Sequence, residues 1–197
     1  MQPRAIKQAS ERFASASAAL AEIERAESLP AMEASWHDLL AAAGTIYSKL
    51  EQGAKRSGPS EAWFARRKAE RKQDPLLQYA HQARNSAEHS IEDVAHGAEI
   101  MVSIRAGDLE PGQAFGFQQM PDGRLVPATT GDPGKLQMRG RHIKLVAIRN
   151  RGVTYEPPET HLGAAVVPEA DEVGRHLLRY LEGMIEDAET LPVSANP

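Results

Sequence analysis

The chain contains no cysteine. Disulfides, thiolate nucleophiles and zinc–thiolate sites are therefore excluded. No apolar run approaches the roughly 20 residues that a membrane span requires. The first residues also lack the apolar core of a secretory leader. A cytoplasmic protein with no membrane contact is the expectation. Gly131-Asp132-Pro133-Gly134-Lys135 lacks the spacing of a phosphate-binding glycine loop. There is no nucleophilic serine motif. Aromatic residues make up only 5%, but apolar residues reach 41% of 197. That is enough for one sizeable core, with room for an appended subdomain.

Anionic charge is scarce in one place and cationic charge in another. The formal net charge is −4. Yet Lys55, Arg56, Arg66, Arg67, Lys68, Arg71 and Lys72 stand against only Glu61 and Glu70. From Glu156 onward, acids dominate over Arg175 and Arg179. Concentrated cations suit a polyanion, although a solvated helix face would look the same.

Hydrophobic spacing orders the chain. Pro3 to about Glu27 reads as a helix with Ile6, Phe13, Leu20 and Ile23 on a heptad-like seam. Leu29-Pro30 should break it. A second helix, about Ala31 to Gln52, then lies antiparallel to the first. Ser60 is the expected N-cap of a short third helix through about Lys72. On it Trp63 and Phe64 read as core more readily than as base-stacking rings.

A fourth helix has the clearest start in the chain. Asp74 can cap the first amides, and Pro75 follows where its missing N–H costs nothing. Leu76, Ala80, Ala83, Ala87, Ile91 and Val94 recur at helical spacing. Gln78, His81, Gln82, Arg84, Asn85, Glu88 and His89 form a polar stripe in place of the usual Lys/Glu face. The helix is expected to end near His96-Gly97, with Gly97 at C′.

From Gly107 to Gly163 glycine, proline and β-branched residues predominate. Pro121-Asp122-Gly123 reads as a turn between two strands, and Gly131-Asp132-Pro133-Gly134 as another. His142–Asn150 is the strongest strand, turned by Asn150-Arg151-Gly152 towards Val153–Tyr155. A last helix over Pro168 to about Ala188 carries Val173, Leu177, Leu181, Met184 and Ala188 on its seam. The expected fold is mainly α, α+β overall. About five helices form a bundle, with a small antiparallel β meander inserted before the last. Residues 1–97 make the bundle core, 98–166 the insertion, 167–190 the returning helix and 191–197 a tail.

The chemistry centres on Arg84-Asn85-Ser86-Ala87-Glu88-His89. A guanidinium grips phosphate with paired donors, and an imidazole exchanges protons near neutrality. Five residues along a helix turn through about 140°. Arg84 and His89 of one helix therefore converge only with difficulty, whereas paired helices of a symmetric dimer solve the geometry. Asn85 shares a face with His89 and is the natural partner to orient it. A plain reading also exists: Arg84 and Glu88, four apart, could form an ordinary surface ion pair. His81 and His89 stand about 12 Å apart along the axis, too far for one metal. No metal or cofactor is expected.

Arg84, a polar follower in Asn85, and His89 after four intervening residues resemble the motif of the HEPN superfamily (higher eukaryotes and prokaryotes nucleotide-binding domains). The resemblance covers about 120 helical residues and leaves the β-rich insertion unaccounted for. It implies a dimeric bundle with paired motifs, and a metal-independent endoribonuclease or RNA-binding protein, as in toxin–antitoxin or defence systems. Arg84 would hold the scissile phosphate, His89 would act as general acid or base, and Asn85 would orient it. His81, Arg66, Arg67, Lys68, Arg71 and Lys72 would contact RNA. The alternative is a non-catalytic dimeric module that binds a protein partner or small ligand.

Overall fold

The computed structural model describes residues 1–55, 57–89, 95–98, 101–103, 115–119, 125–129, 137–139 and 142–193, with side chains for 1–55, 57–86 and 142–193. The chain forms two compact units, Met1–Ala98 with His142–Pro197, and Glu99–Arg141. The architecture is mainly α, with a small antiparallel β region ahead of the last helix.

In the first unit, α1 (Pro3–Arg25) and α2 (Leu29–Ala54) form a hairpin of helices. The Gln2 N–H donates to the Gly53 carbonyl at 3.0 Å, so the start of α1 lies beside the end of α2. Buried Ala5, Ala9, Ala16 and Ala19 let the two backbones come close. The break expected at Leu29-Pro30 falls just before them, at Ala26-Glu27-Ser28, and Leu29 and Pro30 begin α2. Ser28 caps it, accepting from the Ala31 N–H at 3.4 Å. Proline is tolerated in a first turn because that amide has no intrahelical acceptor.

Helix α3 (Gly58–Gln73) begins earlier than expected. Ser57 takes the cap position, Pro59 falls in the first turn, and Ser60 is buried inside the helix, donating to the Ser57 hydroxyl at 3.1 Å. Trp63 and Phe64 are core. Helix α4 (Pro75–His89) then follows. Its Leu76, Leu77, Tyr79, Ala80 and Ala83 are buried against the bundle. Helix α5 (Ala170–Thr190) buries all five expected seam residues, Val173, Leu177, Leu181, Met184 and Ala188. Arg175 clamps it to α1 through Glu24, while also meeting Asp171 and Glu172.

The fourth helix does not reach Gly97. It stops at His89, and Ala95–Ala98 is a strand, β1, paired antiparallel with β6 (His142–Leu145) from Ala95↔Leu145 to Ala98↔His142. Ile143 and Leu145 of β6 are core residues. Long-range pairing on a buried strand overrides the helical spacing here. Expected stripe members Ile91 and Val94 lie outside the described residues.

His142–Asn150 is not one strand either. It divides at Val146-Ala147 into β6 and β7 (Ile148–Asn150). The Val146 carbonyl accepts from the Tyr79 hydroxyl at 2.8 Å. Strand β7 pairs with β8 (Val153–Tyr155) through Arg151 and Gly152, at φ 51° and 80°. A second hairpin, β9 (Thr160–His161) with β10 (Ala164–Ala165), turns through Leu162 and Gly163 at φ 48° and 84°. Two consecutive positive φ values suit the right-handed twist of tight hairpins, and glycine supplies the second at little cost. His142–Ala165 thus belongs to the helical unit.

The second unit contains β2 (Met101–Ser103) paired with β5 (Gln137–Arg139), and β3 (Phe115–Gln119) paired with β4 (Leu125–Thr129). The β3–β4 hairpin runs from Phe115↔Thr129 to Gln119↔Leu125. Its expected Pro121-Asp122-Gly123 turn, and the Gly131–Gly134 turn, lie outside the described residues. No described helix is long and apolar enough to cross a membrane.

Candidate functional site

Helix α4 aims its polar face at a cavity of about 160 Å³ between helices. Leu40, Ala43, Leu77, Ala80 and Leu177 form its floor, all of them buried. Arg71, His81 and Arg84 line its wall and are half-buried. Ser48 and Glu51 stand exposed at its rim. The site is therefore an opening into the core surface, apolar at the bottom and cationic at the side.

Each cation has a structural reason to be there. Arg84 lies across Gly44 of α2. A Cβ at position 44 would fall 2.9 Å from its Cδ and Nε. Only glycine leaves that channel for the side chain. Arg71 lies over the Tyr47 ring, its Cζ 4.8 Å from the centroid, a cation–π contact that holds the guanidinium over the cavity. Burial, opposed by the nearby Tyr180 and Arg71, pushes the Tyr47 phenol up to about 12. Glu51, the acid of the rim, meets Lys68 at 3.3 Å.

His81 lines the same cavity as the two guanidiniums. Burial first, then the charges of Arg71 and Arg84, lower it to about 4. At neutral pH its ring is uncharged and offers one donor and one acceptor. Its Nε2 lies 3.4 Å from Asn85 Nδ2. Asn85 thus supports His81, four residues before it, in the hydrogen-bonded row that this spacing permits. Glu88 and His89 occupy the last turn of α4, and their side chains lie outside the described residues.

The basic segment divides. Arg71 joins the cavity, and Arg66 and Lys72 are exposed. Lys68 is engaged by Glu51. Arg67 is committed to the protein interior: it donates to Glu70 at 2.7 Å and also to Asp187, and lies over the Tyr180 ring. Burial alone would favour its neutral form, but the two carboxylates more than offset this and raise its affinity for the proton. The Tyr180 hydroxyl completes the network by donating to Glu70 at 2.8 Å. Arg67 therefore joins α3 to α5. Lys144 and Arg149 are exposed on strands of the helical unit, and Arg151 is exposed in the turn between β7 and β8.

Other polar groups of the fourth helix also serve the fold. Gln78 donates to the Lys72 carbonyl, and Gln82 accepts from Asn150 at 2.8 Å. Asp74 does more than cap. Its Oδ1 accepts from the Leu77 N–H at 2.9 Å and meets His161 Nδ1 at 2.9 Å. Its Oδ2 accepts from the Leu162 N–H at 2.6 Å. Burial would raise its proton affinity, but the Leu162 amide, His161 and the Leu77 amide outweigh burial and lower it. One carboxylate thereby ties the start of α4 to the β9–β10 hairpin. The His161 ring packs edge-on against His176 and Tyr180.

The sequence reads Tyr47 only as part of the apolar side of the second helix and gives Gly44, Ser48 and Glu51 no site role. Their signal is present: they recur at spacings of three and four, which places them on one face of α2. The large apolar residues of that helix obscure it. Among the described residues, no cluster of three His, Asp or Glu side chains is arranged to hold a metal. No family model, curated protein or solved structure matches the chain.

Proposed function

We propose that this chain is a HEPN-like RNA-binding protein with metal-independent endoribonuclease activity, acting as a homodimer in a toxin–antitoxin or defence setting. The observation that carries the reading is the meeting of Arg84, the motif arginine, with Arg71 and His81 in one cationic cavity. Two guanidiniums at one opening provide paired, charge-assisted donors for phosphate oxygens. Burial, reinforced by the charges of the two guanidiniums, keeps His81 neutral. The exposed Arg66 and Lys72 extend positive charge along α3.

His81 is a poor choice for the proton-transfer group. A base as weak as one titrating at about 4 takes little proton from a ribose hydroxyl. Catalysis accordingly falls to His89. The 2′-hydroxyl of the RNA attacks its own adjacent phosphate as His89 accepts the hydroxyl proton. The P–O bond to the 5′-oxygen of the next nucleotide breaks, and that oxygen takes a proton from the His89 imidazolium so formed or from water, giving a 2′,3′-cyclic phosphate end and a 5′-hydroxyl end.

The test is incubation of RNA in EDTA with the wild type, His89→Ala and Arg84→Gln. Cyclic-phosphate products made by the wild type and lost in His89→Ala support the reading. RNA bound but never cut, with affinity that depends on Arg84, reduces the reading to an RNA-binding member. Absence of any Arg84-dependent RNA binding by a folded dimer refutes it. It would leave the interaction module, for which the commitment of Arg67 and Lys68 to ion pairs within the chain already speaks.

A further inference from the structure

We propose that the groove beside β8 takes an extended segment of a partner protein, bearing lysine or arginine, as an added strand. The proposal does not depend on RNA binding. The register of the β7–β8 hairpin supplies the first argument. Its two-residue turn is flanked by Asn150↔Val153, and Ile148↔Tyr155 lies two positions further on. Antiparallel pairs exchange backbone bonds at alternate positions, and a two-residue turn is closed by a bonded pair. Arg149↔Thr154 is therefore the unbonded pair between them. The N–H and carbonyl of Thr154 point away from β7. Among the described residues, β8 has no second strand beside it. Such an edge is a template for one more strand.

The second argument is what stands beside that edge. Thr154 lines a surface groove together with Val153 and Tyr155. Val153 is 52% exposed, an apolar side chain left to solvent on a strand. Pro75, Pro157 and Pro168 add apolar surface to the same groove. Proline has no amide to offer, so β8 supplies the pairing edge and the prolines supply side-chain contact. Thr160 of β9 also lines the groove, and its hairpin is held in place before any partner arrives. Asp74 ties that hairpin to the start of α4, and the Val166 N–H donates to the Glu159 carbonyl at 2.9 Å. A groove formed in advance lowers the ordering cost of binding.

Charge selects the occupant. Glu156 and Glu159 line the groove, and both are exposed. No lining residue is a cation; Arg149 and Arg151 of the same hairpin are not part of the lining. Among the described residues, neither glutamate is engaged by a cation. Two such carboxylates attract a lysine or arginine on the incoming strand and repel an acidic one. A second copy of the chain is a poorer occupant. Its described basic run is wound into α3, where Arg67 and Lys68 already meet carboxylates. A helix cannot extend a strand ladder.

The experiment selects random linear peptides, displayed on phage, against the full chain, with the double variant Glu156→Lys, Glu159→Lys as counter-target. The enriched peptides are synthesised and their affinities measured by fluorescence anisotropy. The expected peptides carry lysine or arginine among apolar residues. They should bind the double variant about tenfold or more weakly and lose affinity as salt rises. Strand addition has its own signature. Two versions of one peptide are N-methylated at alternate amides, one at the odd positions and the other at the even. Only the amides that face β8 matter, so one version should lose about tenfold or more and the other little. Thr154→Pro, which removes the outward N–H, should abolish binding. Melting curves confirm that the variants are folded, and the methylated peptides test the pairing on the unaltered chain.

An equal response to both methylated versions overturns strand addition. Enriched peptides that are acidic, or indifferent to the charge reversal, overturn the choice of a basic partner. No enrichment over the counter-target overturns the docking site itself. A wild-type dimer that becomes a monomer in Thr154→Pro assigns the edge to a second copy and overturns the partner. RNA binding and cleavage are measured separately, so either reading can fail without the other.

Discussion

Gly44→Ala separates the cavity from the fold. The new methyl would lie 2.9 Å from Cδ and Nε of Arg84, closer than real carbon contacts allow, so one group must move. Arg84 is half-buried, and its long side chain is the group that would have to yield. Alanine in the interior of α2 gains about 0.8–1 kcal/mol of helix propensity over glycine. Overpacking of a confined site costs about 1–3 kcal/mol, and a long side chain as the yielding neighbour places the cost at the low end. The net change in stability should stay within about 1 kcal/mol, a few degrees in Tm for a chain of this size. Binding should respond differently. Withdrawing one guanidinium removes charge-assisted hydrogen bonds worth about 1.5–3 kcal/mol, or roughly ten- to hundredfold in affinity for RNA. The dependence of binding on salt should also become shallower, by about 0.7 in log–log slope for one lost phosphate contact on a single strand. Thermal melts and fluorescence anisotropy across a salt series measure both quantities. Unchanged affinity and slope would show that Arg84 makes no phosphate contact. A Tm loss above about 10 °C would show that Arg84 is locked in place and the channel is purely structural.

Asp74→Ala removes the cap of α4, strands a buried donor on His161 and leaves the partly buried Leu162 N–H without its acceptor, so a loss of about 2–4 kcal/mol is expected in urea denaturation. Because the native carboxylate has a lowered proton affinity, its contribution is complete above the unfolded value near 4 and fades as pH falls through the native one. The difference between wild type and variant should narrow in acid, and a constant difference would argue against an ionised native carboxylate. His81 predicts a second acid effect. Its affinity is lowered, so stability is intact above about 6.5 and declines as pH falls towards about 4. Roughly 3 kcal/mol for a fully buried ring becomes about 1–2 kcal/mol for this partly exposed one. His81→Gln should flatten that part of the curve, and NMR titration of the ring should show no protonation at pH 6. Arg66→Ala with Lys72→Ala should weaken RNA binding evenly across sequences with little change in Tm. Arg67→Met should instead lower Tm by several degrees and leave the salt slope unaltered.

Much of the bundle was legible in the chain because its elements are defined locally. Asp74-Pro75 at a helix start, the seam of α5 and the Arg151-Gly152 hairpin depend on neighbours within a few positions. Errors arose where distant partners decide. Ala95–Ala98 carries a helical pattern but is drawn into a strand by β6. The Tyr79 hydroxyl takes the Val146 carbonyl where His142–Asn150 would otherwise continue unbroken.

The same division holds at the site. Sequence alone determined that α4 carries Arg84, Asn85 and His81 on a polar stripe, since the period of a helix follows from covalent geometry and hydrogen bonding along the chain. It also determined that cations gather just before that helix. Tertiary structure decided which of those cations are available. Packing of α3 against α5 committed Arg67 to Glu70 and Asp187, while Arg71 settled on Tyr47 beside the cavity. Packing of α2 against α4 placed Gly44 under Arg84. These outcomes rest on distances between residues far apart in sequence. A half-buried charge takes whichever partner the packing brings within reach, and spacing along one helix cannot name that partner.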